Sequence, residues 1–216
     1  EARPIMASLV PKGTGKEGVL YAGLAALTAH LLGREWLREN GSPVKIERMA
    51  IDAGEGKQSD TIYTFCRQSP HAALLIPSHG RGIGAKHAPM NLYKARPGER
   101  LGEGWSIKPS VTKAIRFLTA DVNQWKSHTQ ERLAQPVGAT GSLTLWSKGE
   151  PAGRHRMFAE HCTAEKAHRM TDELSGRSKV EWVADPNRDN HLGDCVVMAM
   201  VLASVQGAKL FGEERK

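Results

Sequence analysis

Apolar residues recur at helical spacing near the start of the chain, in a segment from Glu17 to Asn40. Leucines lie three or four positions apart there, which is typical of one face of an α-helix. A glycine and a proline follow Asn40 within three residues and are expected to end the helix. The pattern therefore predicts one long helix over 17–40.

A strand, a helix and a second strand are predicted next. They are a strand over Val44–Asp52, a helix over Asp60–Gln68 that Ser59 would cap, and a buried strand over Ala72–Ile76. Such a βαβ unit places its two strands parallel. We therefore expect an α/β fold with a parallel pair of strands.

The rest of the chain contains one long irregular segment and several shorter elements. Residues His79–Gly104 are rich in glycine, proline and basic side chains, so they are expected to form a surface excursion. The last apolar segment is hydrophobic on almost every face, which predicts a buried helix. The predicted strands are Trp105–Ile107, Ala114–Ala120, Ser142–Trp146 and Lys179–Ala184, and the predicted helices are Val122–Ala134, Thr163–Leu174 and Asn190–Ala208.

The composition is that of an ordinary globular protein, except that the chain has an excess of positive charge. With 216 residues, 40% hydrophobic and 25% charged, it is neither disordered nor collagen-like. Its 30 Lys and Arg against 23 Asp and Glu give a formal charge of +7. This balance favours a polyanionic partner, nucleic acid before a membrane, although many basic proteins bind no nucleic acid.

The cysteines and the apolar segments indicate which cellular compartment suits the chain. Cys66, Cys162 and Cys195 are widely spaced and form no Cys-x-x-Cys pair, which argues against a disulfide framework and a structural zinc site. We expect a reducing compartment. No signal peptide is recognisable, and the longest apolar stretch, 195–205, is about half of what a membrane span requires.

Two glycine-rich segments match phosphate-binding motifs only in part. Pro11–Lys16 is flanked by Val10 and Glu17, where a Walker motif requires glycine and Ser or Thr. Gly80–Gly84 follows a predicted strand but lacks the final glycine and the helix of a dinucleotide site. Neither segment is assigned a nucleotide.

Acidic residues give stronger candidates. Asp52 ends a predicted central strand, at the edge where parallel sheets bind ligands and metals. Asp194 lies in a helix that is otherwise apolar, where a carboxylate is costly unless it is paired, capped or metal-bound. His191 shares its helix face, so the two could bind one Mg²⁺ or Mn²⁺ ion. The equal alternative is that Asp189, Asn190 and His191 only cap the helix.

Basic residues adjoin the same expected sheet edge. In residues 78–86, glycines would let backbone amides approach phosphates while Arg81 and Lys86 supply charge. Lys126, on the helix after Asp121, is a further candidate. For Lys126, taken singly, an ordinary solvated surface charge is the favoured interpretation.

Short motifs along most of the chain resemble the lambda-type GpA family of large terminase subunits of tailed phages. They are Ile46–Gly54 with Ile62–Tyr63 and Cys66–Arg67, Pro77–Gly80, Leu32–Trp36, Asp121–Lys126, His155–His161 with Thr163–Glu165, and Asp189–Cys195. The resemblance implies the family's C-terminal nuclease, an α/β fold whose ribonuclease H-like mixed sheet is flanked by helices. Such a nuclease cuts concatemeric double-stranded DNA with two divalent ions, Mg²⁺ or Mn²⁺.

The resemblance also implies roles for individual residues. Asp52 matches the catalytic carboxylate of the fourth strand and Asp194 that of the last helix, and both would bind metal. His191 matches the position of a metal-binding histidine. The implied DNA contacts are His79, Arg81, Lys86 and Lys126. Asp121 and Glu165 are secondary acidic candidates for the site. The implied partners are double-stranded DNA, the terminase small subunit and the portal or procapsid, in the cytoplasm of the bacterial host and without a membrane.

The sequence departs from the family pattern in two ways. It carries no Walker motifs of the ATPase motor, and residues 2–16 contain no Asp or Glu to serve as the first-strand carboxylate. We therefore expect a fragment lacking its first strands, with a basic segment and long helix over 1–43 and a nuclease core over 44–216. Two other interpretations stay open: a DNA-binding or motor-docking module that does not cut, and another ribonuclease H-like enzyme such as a resolvase or transposase core.

Overall fold

The computed structural model describes residues 10, 12–38, 40–54, 56–145 and 151–209. Its helices are α1 (Lys16–Leu32), α2 (Ser59–Gln68), α3 (Val122–Leu133), α4 (Arg156–Cys162) and α5 (His191–Val205). Short 3₁₀ turns lie at Met90–Leu92 and Ala152–His155. The strands are β1 (Trp36–Leu37), β2 (Pro43–Val44), β3 (Met49–Asp52), β4 (Leu75–Arg81), β5 (Arg100–Gly102), β6 (Trp105–Ser110), β7 (Ile115–Asp121), β8 (Glu165–Thr171) and β9 (Ser178–Ala184).

Five strands form one mixed sheet in the order β3-β4-β7-β6-β5. Strands β3 and β4 are parallel, with Asp52 opposite Ser78, which confirms the predicted βαβ unit. Strands β5 and β6 are antiparallel, as are the separate pairs β1–β2 and β8–β9. A mixed sheet with flanking helices is compatible with the ribonuclease H-like class expected from the sequence.

Backbone contacts divide the chain into two compact units. The first comprises residues 1–79 and 108–118, and the second comprises 80–107 and 119–216. The domain boundary expected at residue 43 stays a prediction.

The core of the first unit lies among α1, α2 and β3. Phe65 and Cys66 of α2 are buried together with Leu24 of α1 and Ile51 of β3. The ring of Tyr21 packs edge-on against Phe65, with 5.1 Å between centroids. The apolar periodicity that predicted α1 therefore serves to bury it against α2.

The core of the second unit is built on α3 and α5. Trp125 of α3 and Val201 of α5 are fully buried, and the indole N–H of Trp125 donates to the carbonyl of Gly104. The expectation that the last helix is buried all round is wrong, because α5 exposes His191 and Asp194. Its buried residues face one side only, so its polar first turns lie at the surface.

The first helix ends eight residues before the predicted Asn40. The N–H of Gly33 donates to the carbonyl of Ala29, and a Cβ at position 33 would lie only 2.4 Å from that oxygen. Glycine therefore permits this close approach of the backbone where α1 ends. The strand predicted over Val44–Asp52 is likewise shorter, since 45–48 separate β2 from β3.

The helix predicted over Thr163–Leu174 is wrong. Residues 165–171 form β8, which pairs with β9 from Glu165 opposite Ala184 to Thr171 opposite Ser178. The segment contains good helix formers but no apolar stripe, so the partner strand decides its conformation. A helix that the sequence analysis did not predict, α4, lies immediately before it.

Three smaller expectations also differ from the structure. No strand forms over 142–145, while Trp146 of that predicted strand lies outside the described residues. Ser59 is the first residue of α2, and its hydroxyl donates to the carbonyl of Ala53 instead of capping the helix. The predicted surface excursion over 79–104 is interrupted by the end of β4, a 3₁₀ turn and β5.

The structure describes all three cysteines and the apolar segments that the sequence analysis considered. Cys66, Cys162 and Cys195 form no disulfide; Cys66 and Cys162 are buried and Cys195 is exposed. Among the described residues, no helix has the length and apolar character that crossing a membrane requires.

We predict that Phe65→Ala lowers the free energy of unfolding by about 3–5 kcal/mol, because it leaves a cavity among α1, α2 and β3. Urea denaturation of both proteins measures the difference. Leu174→Ala, at a residue 99% exposed, is the matched control and should change stability by less than about 0.5 kcal/mol. Equal losses in the two variants would contradict the assigned core.

Candidate active site

Asp121 is the buried residue at which β7 ends and α3 begins. Its Oδ1 accepts the N–H groups of Asn123 and Gln124, which caps α3, and also the N–H of Ile83. Its Oδ2 accepts a hydrogen bond from Lys179 of β9, with Nζ 2.5 Å away. The side chain is 0% exposed, and these contacts are those of a structural ion pair.

Lys126, little more than one turn along α3, binds two carboxylates. Its Nζ lies 2.6 and 2.7 Å from the two oxygens of Glu165, the first residue of β8, and 3.0 Å from Oδ1 of Asp194 on α5. The Lys126 and Glu165 side chains are largely buried, whereas that of Asp194 is 48% exposed. We call these three residues the Lys126 cluster.

Asn190 immobilises one carboxylate of the Lys126 cluster. Its Nδ2 donates to Oε1 of Glu165, while the backbone of Asn190 precedes α5 and its side chain makes no capping bond. The capping alternative considered for this residue therefore does not describe its side chain. The pocket beside the cluster is lined in part by Lys126, Gln130, His161, Glu165, Asn190 and Asp194.

The start of α5 packs closely against α4. A Cβ at Gly193 would lie 3.1 Å from the carbonyl oxygen of His161, tighter than most such contacts. The N–H of Leu192 donates to Nδ1 of the same histidine at 3.3 Å. This close approach fixes the turn of α5 that carries Asp194.

His191 lies beside the Lys126 cluster without joining it. Its side chain is 78% exposed, and its Nε2 is 3.6 Å from Oδ1 of Asp189. The rings of His191 and His161 are 6.2 Å apart. The proposed ligand role of His191 stays a prediction.

Asp52 lies in the first unit, where β3 ends. Its exposed carboxylate accepts the N–H of Gly54 at 2.9 Å, a turn-forming contact. His79 follows Ser78, the residue opposite Asp52, along β4. Burial lowers the pKa of His79 below its ordinary value of 6.5, and the negative charge of Asp52 opposes this effect only in part.

His79 is the partner of a tyrosine in the same unit. The hydroxyl oxygen of Tyr63 lies 2.6 Å from Nε2 of His79, and the ring of Phe117 packs edge-on against the imidazole. Burial also raises the pKa of Tyr63. At neutral pH this pair is therefore uncharged, and the DNA contact expected of His79 stays a prediction.

The cations expected to contact DNA flank a tethered loop in the second unit. Arg81 and Lys86 are exposed, whereas Ile83 and Ala85 between them are buried. The N–H of Ala85 donates to Oε1 of Glu181 on β9 at 3.3 Å. The loop therefore presents its two cations from an anchored backbone.

The carboxylates of the Lys126 cluster suit a cation. No three His, Cys, Asp or Glu side chains in the described part of the chain are grouped as metal ligands. Glu165 and Asp194 nevertheless converge on one positive charge, the ammonium of Lys126. Mg²⁺ commonly takes one or two carboxylates and completes its shell with water and phosphate, so the two residues fit this ion.

Comparison with known families identifies the broader class. The model of the terminase large subunit gpA endonuclease domain matches residues 18–215. The chain belongs to this family. No curated protein and no solved structure gives a significant match. The resemblance carried by the short motifs is confirmed, and the chain is an endonuclease domain of phage DNA packaging.

The interaction that sequence analysis missed is the pairing of Lys126 with Glu165. The two residues are 39 positions apart, and Glu165 was assigned to a helix that does not form. Asn190 was considered only as a cap. No local spacing signals these contacts, because they depend on the β8–β9 hairpin lying beside α3.

We predict that Asp121→Asn lowers the free energy of unfolding by about 3–5 kcal/mol, because it leaves the Lys179 ammonium uncompensated. Chemical denaturation measures the loss. The control Asp60→Asn removes a charge from an exposed pair with Lys113 and should cost less than about 1 kcal/mol. If Asp121→Asn kept full stability but lost nuclease activity, Asp121 would be catalytic.

We also predict that stability falls as the pH drops below 6.5. The unfolded chain binds protons on His79 in this range while the folded chain, with its lowered pKa, does not, so protonation favours unfolding. His79→Gln should reduce the slope of unfolding free energy against pH between 7 and 5. The exposed His168→Gln should leave it unchanged, and equal slopes in all three proteins would refute the assignment.

Proposed function

We propose that the chain is a metal-dependent endonuclease that cleaves concatemeric double-stranded DNA during packaging. The proposal rests on one observation above all, the convergence of Glu165 and Asp194 on a single cation beside a pocket. Glu165 and Asp194 would hold the divalent ions, which would supply activation of a water molecule and stabilisation of the leaving oxygen of the phosphodiester. Mg²⁺ and Mn²⁺ both suit oxygen ligands.

The residues of the Lys126 cluster have separate roles in this proposal. Asp194 and Glu165 are cation ligands, and Asn190 holds the Glu165 carboxylate in position through its hydrogen bond. His191, one turn before Asp194, is proposed as an additional ligand supplied from an exposed side chain. Asp52, which lies in the first unit, is proposed on its own as a catalytic carboxylate, because the family resemblance assigns it that role.

DNA binding in this proposal depends on charge. The chain carries a formal +7, and the anchored loop presents Arg81 and Lys86 to solvent. Phosphate contacts of this kind weaken as salt rises. The further partners, by family, are the terminase small subunit and the portal or procapsid, in the cytoplasm of the host cell.

A second candidate function is DNA binding or motor docking without cleavage. It is favoured by the ammonium of Lys126, which already binds both carboxylates, and by the lack of a third metal-binding side chain grouped with them among the described residues. A resolvase or transposase core is disfavoured by membership of the terminase family.

We predict that the protein nicks or linearises plasmid DNA when Mg²⁺ or Mn²⁺ is added, and that EDTA abolishes this activity. Asp194→Asn and Glu165→Gln should each reduce the cleavage rate at least about 100-fold, because each removes a cation ligand. Asp52→Asn tests the carboxylate of the first unit in the same assay. Glu173→Gln, at an exposed position outside the cluster, should leave the rate unchanged.

The two candidate functions give different results in this assay. Salt-sensitive binding of plasmid DNA without cleavage in either metal would support the non-cutting module. Cleavage that survives both Asp194→Asn and Glu165→Gln would place the catalytic site elsewhere in the chain.

A further inference from the structure

Lys126 of α3 and Lys179 of β9 each bind a carboxylate, but the surroundings of the two pairs differ. The pair of Lys179 with Asp121 is closed, since the Asp121 side chain is 0% exposed and its other oxygen binds backbone amides. The pair of Lys126 with Asp194 is open, since the Asp194 side chain is 48% exposed. The first pair is fixed by the fold, whereas the second includes a carboxylate, that of Asp194, which solvent reaches.

The charge of the Lys126 cluster calls for a cation at this position. Two carboxylates bound to one ammonium leave a single net negative charge, and the same carboxylates bound to a divalent ion leave none. Without either cation, Glu165 and Asp194 would repel each other. The ammonium of Lys126 therefore offsets one of the two negative charges that a divalent ion would offset completely.

We propose that Lys126 is an internal competitor of the divalent cation, which binds Glu165 and Asp194 only when the Lys126 ammonium withdraws. The inference rests on the proposed function, because it concerns the same carboxylates. The competition makes Lys126 the residue that sets metal affinity, and it holds the metal-free carboxylates in a defined arrangement.

This exchange requires movement of the Lys126 side chain away from the two carboxylates. The lysine ammonium sits on a flexible four-carbon stem, which can turn away while α3 stays in place. Glu165 keeps its orientation because Asn190 still donates to it. A withdrawn Lys126 carries a free positive charge beside the cation site, which suits the phosphate contact expected of it from the sequence.

The first test measures Mn²⁺ binding to the whole chain by calorimetry and by the electron paramagnetic resonance signal of free Mn²⁺. Lys126→Met should bind Mn²⁺ about 10–100-fold more tightly than the wild type, because no charge-assisted hydrogen bonds need to be broken. Lys126→Arg, which keeps the positive charge, should bind no more tightly than the wild type. Lys166→Met removes an exposed charge next to Glu165 and should change affinity less than about 3-fold.

A folded Lys126→Met protein with unchanged or weaker Mn²⁺ binding would overturn the inference. If metal-dependent cleavage persists in that case, the proposed function stands and only the competition fails. If neither the wild type nor Lys126→Met binds Mn²⁺ and no cleavage occurs, both fail.

A second measurement needs no substitution and decides the question if Lys126→Met does not fold. The Cε and Nζ resonances of Lys126 in the wild type are followed by NMR while Mg²⁺ is added. We expect both resonances to move to the values of a solvated lysine as the ion binds. Resonances that stay unchanged at saturating Mg²⁺ would show that ion and ammonium do not share the carboxylates, and would overturn the inference.

Discussion

A carboxylate that is buried in a protein must find hydrogen-bond donors, and the second unit is arranged around one that does. Asp121 takes donors from the first turn of α3, from the loop after β4 and from Lys179 on β9. Because burying such a group without donors is costly, these three segments are held in one arrangement. The arrangement fixes the direction of α3 and the position of the β8–β9 hairpin, and through them it brings Lys126 to Glu165.

The parts of the fold that could be predicted from the sequence are those that local periodicity determines. The βαβ unit and α3 follow from apolar spacing and turn residues, and the structure confirms them. The predictions are wrong where the conformation of a segment depends on contacts with residues distant in the sequence. Residues 165–171 contain good helix formers, yet pairing with β9 makes them a strand. α1 ends early at Gly33, where the backbone makes a close approach that residue spacing does not reveal.

The candidate site follows the same division. Residue chemistry and family resemblance were enough to name Asp194, Glu165 and Lys126 as separate candidates. Their convergence could not be predicted, because it joins three elements far apart in the chain. Environment also changes what a side chain can do. His79, which the sequence predicts to contact DNA, is bonded to Tyr63, and burial lowers the pKa of its imidazole.

The pairing of β8 with β9 links the stability of the fold to the register of the two strands. Side chains alternate between the two faces of a strand, so a slip of one residue reverses every side chain of the strand that moves. A slip of β8 would carry Glu165 away from Lys126, and a slip of β9 would leave Asp121 buried without its lysine. Misregistered hairpins thus lose an ion pair at once and are driven back towards the unfolded chain. The register of the β8–β9 hairpin that completes the candidate site is therefore also the register that gives the most stable fold.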